Sequence, residues 1–110
     1  MRSYYRDIPI LVEVARCESH FRQYDATGVV LKNNQGSSAL GVMQIMASYH
    51  EQAAKELGWS IRDLEGNLAY ARWLYEREGL RPWEASRYCW GSEGSIVYSS
   101  DGTIQNELQG

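Results

Sequence analysis

Apolar side chains near the start of the chain recur at helical spacing. Ile8, Leu11, Val12 and Ala15 form one strip, and Ile10 and Val14 a second. This predicts a helix apolar on most sides, hence one at the centre of a domain. Asp7 is placed to cap it, with Pro9 in the first turn, where proline is tolerated. Its end is expected near Ser19 or Phe21. Between 22 and 40 the helical period disappears: RQYDATGVVLKNNQGSSAL holds Gly28, Gly36, an Asn pair and one β-like run, Val29–Leu31. An irregular segment of that length, with a short strand or hairpin, points to function. Gly41–Met46 is a short apolar run leading into a second helix. Ser48 and Glu51 form a capping box there; Tyr49, Ala53 and Leu57 share a face, and Gly58 stops it. Ser60 and Asp63 give a second box over a short turn. Asn67 is then read as the cap of a third helix, with Leu68, Ala71, Leu74 and Tyr75 inward and Gly79 at its end. Pro82 opens a last short helix, WEASRYCW, stopped by Gly91. Alternation around Asp101-Gly102 predicts a small hairpin or a tail over 95–110, leaving 1–94 as the folded unit.

Composition narrows the class. A chain of 110 residues with 44% hydrophobic and 23% charged side chains is one ordinary globular core, neither disordered nor fibrous. Eleven basic against fourteen acidic residues, net −3, argue against a nucleic-acid partner. No apolar run approaches the roughly 18 residues of a membrane span. Ile8–Val14 is short, interrupted by Glu13 and followed by Arg16, so it reads as the start of the domain and not as an export signal. Four Trp and eight Tyr stand against a single Phe. Such polar-tipped rings suit a wet binding surface as well as a core edge. Cys17 and Cys89 lie 72 positions apart with no CxxC or His at ligand spacing, so no metal site is expected. They are one disulfide or two buried thiols.

Glu18 is the residue out of place. Val14 and Leu11, four and seven positions earlier, put its carboxyl beside an apolar strip near a helix C-terminus. Lost solvent and the negative end of the helix dipole both raise its pKa, as a general acid near neutral pH requires. The bland alternative is a solvated Glu18 beside Arg22.

The surroundings of Glu18 carry a resemblance. Ala15-Arg16-Cys17-Glu18-Ser19-His20-Phe21 resembles the ARxES-x-F signature of soluble lytic transglycosylases and goose-type lysozymes. Gly41-Val42-Met43-Gln44-Ile45 is similar to their G-[LV]-M-Q-I motif, Asn67-Leu68-Ala69-Tyr70-Ala71 to the following helix, and Ala85–Gly91 to A-x-x-Y-N-A-G. The four pieces occur in the family's order over about residues 8–91. Two positions depart from it: Cys89 replaces an Asn, and Leu40 stands where many members carry a small polar residue. The resemblance implies a mainly α (α+β), lysozyme-like fold with a small β or irregular lobe at about 25–40. It implies cleavage of the β-1,4 bond between N-acetylmuramic acid and N-acetylglucosamine in peptidoglycan glycan strands.

On this resemblance Glu18 is the catalytic acid/base, Met43 and Gln44 line the cleft, and the Tyr88 hydroxyl lies near the catalytic carboxyl. Trp90, Tyr24 and Tyr88 are expected against sugar faces, while Trp73 and Tyr70 belong to the core. His20 and His50 are read as surface or core residues. A lytic transglycosylase works with one carboxyl; a hydrolytic, endolysin-like lysozyme needs a second group, for which Asp25 is the candidate. Asp-x-x-Gly at 25–28 is also ordinary turn chemistry. A catalytically idle glycan-binding domain is the third reading. No metal or organic cofactor is expected, and a monomer is. The task implies an extracytoplasmic location, periplasmic, secreted or phage-delivered, with no signal peptide in this chain. Disulfides persist there, and if Tyr88 lies near Glu18 then Cys17 and Cys89 are neighbours. A Cys17–Cys89 disulfide is accordingly expected.

Overall fold

A computed structural model describes residues 3–33 and 36–91; the expected 95–110 hairpin or tail lies outside the described residues. The elements are α1 (Pro9–Ser19), a two-stranded sheet of β1 (Ala39–Leu40) and β2 (Ile45–Met46), α2 (Ala47–Glu56), α3 (Leu64–Glu78), a 3-10 helix (Arg81–Ser86) and α4 (Arg87–Trp90). The class is mainly α, with a small β part.

Helix α1 begins at Pro9, whose missing N–H is one that no helix start could pair. Asp7 does not cap it. Its carboxylate instead pairs with Arg72 of α3, and Ile8 takes the cap position without a side-chain bond. Leu11, Val14, Ala15 and Ser19 are buried, so the doubly apolar pattern correctly marked a central helix. Tyr5, in the turn before α1, is fully buried and donates its hydroxyl to the Leu68 carbonyl at 2.6 Å, tying the N-terminal turn to α3.

The sheet pairs Ala39 with Met46 and Leu40 with Ile45, antiparallel. Among the described residues, further β pairing is a single bridge between Tyr24 and Val30. The lobe expected at 25–40 therefore runs on to Met46. Gly41 opens the turn with φ +78°, and a Cβ there would fall 2.5 Å from Asn67 Nδ2 and 2.6 Å from Gln23 Oε1. Only glycine meets both demands.

Those two amides are the interior polar framework. Asn67 does not cap α3; Asp63 takes the cap position, extended and without a side-chain bond, and Asn67 lies inside the first turn with 0% exposure. Its Oδ1 accepts the Met43 N–H at 2.9 Å, and its Nδ2 donates to the carbonyls of Leu40 (2.9 Å) and Ile61 (2.8 Å). Gln23 Oε1 accepts the Val42 N–H at 2.9 Å, and its Nε2 donates to Ile61 and Arg62. The hairpin is thus fastened through its own backbone to the turn before α3. A buried peptide group needs such a partner, because water is not there to supply one.

Helix α2 departs from the expected capping. It starts at Ala47, the Ser48 N–H donates to Ser38 Oγ, and Glu51 pairs with Arg62. No Ser48–Glu51 box forms. Ser60 likewise makes a turn, its Oγ accepting the Arg62 N–H, and not a capping box. Ala54 is the buried residue of α2, while Tyr49 and Leu57 are exposed. Gly79 ends α3 and Gly91 ends α4, as read. Tyr70 is buried and stacks on Trp73, ring centroids 5.3 Å apart, with the Arg77 guanidinium 4.8 Å from the Trp73 ring. The 3-10 helix is anchored by the Trp83 indole, which donates to the Met43 carbonyl at 2.8 Å. With α4 it packs on α1, where Cys17 and Cys89 form a disulfide at a Cα separation of 6.0 Å. Among the described residues no helix is long and apolar enough to cross a membrane.

Candidate active site

Glu18 is the penultimate residue of α1. The chain leaves the helix through His20 (φ +55°) and Phe21 (φ +65°), both left-handed. Ser19, fully buried, fixes this exit: its Oγ donates to the Ala15 carbonyl at 3.1 Å and accepts the Arg22 N–H at 3.2 Å. Asn33 reaches across from the irregular segment to donate its Nδ2 to the Glu18 carbonyl oxygen. Backbone and helix end are thereby held before the side chain is considered.

The Glu18 side chain is half-buried and accepts a hydrogen bond on Oε2 from Ser86 Oγ at 2.6 Å. Loss of solvent pushes its pKa above the ordinary carboxylate range, and the Ser86 bond partly opposes that push. Burial wins because one neutral hydroxyl replaces only part of the hydration of a full charge. The helix dipole invoked from the sequence is not needed. Among the described residues no Lys or Arg pairs with Glu18; Arg16 pairs with Glu13 at 2.9 Å instead. A carboxyl whose pKa is raised by burial, at the end of a rigid helix, can act as a general acid.

Three non-glycine residues have positive φ among the described residues: His20, Phe21 and Gln44. All three lie in two of the four segments that carry the resemblance. Each such conformation costs on the order of 1 kcal/mol or more, and such strain tends to cluster at functional sites.

The other expected site residues divide. Asp25 is exposed, and its Oδ1 accepts from the Thr27 N–H (2.8 Å), the Thr27 hydroxyl (2.6 Å) and the Val29 N–H (3.1 Å). The Thr27 hydroxyl first, then these backbone N–H groups, hold its pKa below the usual range. That is turn chemistry, and it makes a weak base. Tyr24, in the bridge to Val30, is 44% exposed and open to solvent. Gln44 is half-buried, and its Nε2 donates to the carbonyls of Leu31 (3.2 Å) and Gly41 (2.8 Å), bracing the hairpin turn.

Three expectations need correcting. The Met43 side chain is fully buried and lines the core, not a cleft. Trp90, 5% exposed, is no sugar platform: its indole N–H is spent on the Trp83 carbonyl and Ser86 Oγ, both at 3.0 Å. Tyr88 is 85% exposed, and the hydroxyl bonded to Glu18 belongs to Ser86. Sidedness explains the last two. Two residues apart on a helix point to opposite sides, so once Trp90 is inward Tyr88 is outward. Ser86 could have been found from the cysteines: it lies one helical turn before Cys89, on the same face, and so level with Glu18 when Cys89 meets Cys17.

His50 is half-buried with Nδ1 2.8 Å from the Tyr70 hydroxyl, and His20 is exposed at the α1 terminus. An open depression lined by Ser3, Tyr4, Leu64, Glu65 and Leu68 does not include Glu18 in its wall. Among the described residues no cluster of three or more His, Cys, Asp or Glu side chains could hold a metal ion. Comparisons with protein-family models, with curated proteins and with solved structures gave no match.

Proposed function

We propose that this chain cleaves peptidoglycan as a lytic transglycosylase with a lysozyme-like fold, using Glu18 as its one acid–base group. The observation that carries the reading is the Glu18 carboxyl itself. It is held at the end of a buried helix, stripped of part of its solvent, and shifted toward the protonated form. The four motif segments in family order add to it, as does the disulfide, which suits work outside the cytoplasm. Asp25 supports the single-carboxyl route over the hydrolytic one, because its carboxylate is occupied by Thr27 and Val29.

In this reading Glu18 gives its proton to the glycosidic oxygen as the C1–O bond breaks. The substrate's N-acetyl group stabilises the oxocarbenium-like centre. Glu18, now a carboxylate, takes the proton of the muramic C6 hydroxyl as its oxygen bonds to C1 and closes a 1,6-anhydro ring. A pKa raised by burial suits both halves, since the same group must lose and regain a proton near neutral pH.

The test is mass spectrometry of muropeptides released from purified cell walls by the native chain and by Glu18→Gln. Anhydro ends from the native chain, absent with Glu18→Gln, support the proposal. Reducing ends mean a hydrolase, clearing by both chains overturns the role of Glu18, and clearing by neither leaves a glycan-binding domain.

A further inference from the structure

Ser86 Oγ has three polar neighbours and one hydrogen to give. It lies 2.6 Å from Glu18 Oε2 and 3.1 Å from the Trp83 carbonyl oxygen, and accepts the Trp90 indole N–H at 3.0 Å. The same indole N–H also lies 3.0 Å from the Trp83 carbonyl. Trp90 therefore serves that carbonyl, and the Ser86 hydrogen is left for Glu18. The shorter contact and, once Glu18 ionises, its negative charge direct it the same way. Ser86 is 8% exposed and Trp83 2%, so water does not compete for the hydroxyl. The two carboxyl oxygens become unequal as a result. Oε2 is occupied, while among the described residues no hydrogen bond reaches Oε1.

We propose that Ser86 is the positioning residue of the Glu18 carboxyl, making Oε1 the oxygen that carries and returns the proton. This rests on the reading of Glu18 as the acid–base group. In the first step the Oε1–H bond breaks and its hydrogen passes to the glycosidic oxygen, which keeps the C1–O electron pair. In the second step the C6 hydroxyl hydrogen returns to Oε1 as the C6 oxygen bonds to C1. Ser86 keeps its own hydrogen throughout and needs no other reactant. Charges on the neighbouring elements are engaged elsewhere: Glu84 with Arg87, Glu13 with Arg16, and Arg22 Nε with the Ser19 carbonyl. The hydroxyl is thus the polar contact that sets the direction of this carboxyl.

The experiment is a carboxyl-13C NMR titration of Glu18 in the native chain, Ser86→Ala, Ser86→Thr and Trp90→Phe, beside kinetics on peptidoglycan. In Ser86→Ala the Trp90 indole retains the Trp83 carbonyl, so no buried donor is orphaned. The Glu18 midpoint is expected to rise, because a donor favouring the carboxylate is gone while burial persists. Ser86→Thr restores it. Trp90→Phe shifts it upward too, by freeing the Trp83 carbonyl to compete for the Ser86 hydrogen. On peptidoglycan, kcat of Ser86→Ala falls on the order of 10- to 100-fold at unchanged KM, and the alkaline limb of the pH profile moves up with the midpoint. A midpoint unmoved in both Ser86→Ala and Trp90→Phe overturns the proposal, as does Ser86→Thr behaving like Ser86→Ala. A shifted midpoint in a chain that leaves peptidoglycan uncut supports the positioning and overturns the proposed reaction.

Discussion

Replacing Asn67 with alanine removes one acceptor and two donated hydrogen bonds from the interior. The Ile61 carbonyl keeps Gln23 Nε2 at 3.3 Å and Leu40 stays paired with Ile45 in the sheet, so the loss falls first on the Met43 N–H. An unsatisfied buried group costs about 1–3 kcal/mol. With Asn67 fully enclosed and the space it leaves unfilled, Asn67→Ala is expected to lose about 3–4 kcal/mol. That is a large part of the roughly 5–15 kcal/mol that holds a domain of this size. Urea unfolding with the disulfide intact measures it, provided the slope with denaturant is unchanged. Asn67→Asp separates hydrogen bonding from volume. It keeps an acceptor for Met43 but turns a second oxygen toward the Leu40 and Ile61 carbonyls. Burial raises the pKa of the introduced carboxyl, so the folded state binds its proton more tightly than the unfolded chain. Its deficit is therefore greatest at neutral pH and shrinks as pH falls through the folded-state value. A loss below about 1 kcal/mol for Asn67→Ala, or a pH-independent deficit for Asn67→Asp, would refute the argument.

Three further outcomes follow from the same geometry. Reducing the Cys17–Cys89 bond, or replacing both residues with Ser, frees a span of 72 residues and should lower stability by about 4 kcal/mol on the chain-entropy model; equal melting of oxidised and reduced protein contradicts it. Glu18→Gln should be more stable than the native chain near pH 8, with the gap closing toward pH 4, because the raised pKa makes the charged form the costly one; a gap that widens on acidification would reverse the sign. Burial lowers the His50 pKa, so the unfolded chain takes that proton first. The His50 contribution is then complete above about pH 6.5 and lost below it, and His50→Gln should flatten the fall in stability between about pH 7 and 5.

The apolar strips of α1, the stops at Gly79 and Gly91 and the out-of-place carboxyl of Glu18 could all be read along the chain, because each is a local signal. Asn67 could not. An amide that caps a helix and an amide that bonds backbone 24 residues away are the same residue, and only the neighbouring hairpin tells them apart. The Ser48–Glu51 box failed for a similar reason, since Ser38 and Arg62 from distant segments took the two partners. Around the candidate site the sequence carried the acid and the cysteines but misjudged direction. In a four-residue helix such as α4 there is too little period to say which side faces in, so the inward place of Trp90 and the outward place of Tyr88 were not legible.

The partners of Glu18 also fix when its surroundings can come into being. The carboxyl and Cys17 emerge from the ribosome before Ser86, Cys89 and Trp90, which are among the last of the described residues to be made. No short nascent fragment can hold the acid in place, and contacts between such distant positions close slowly. Assembly of the candidate site therefore waits on synthesis of Ser86, Cys89 and Trp90, about seventy residues after the acid itself.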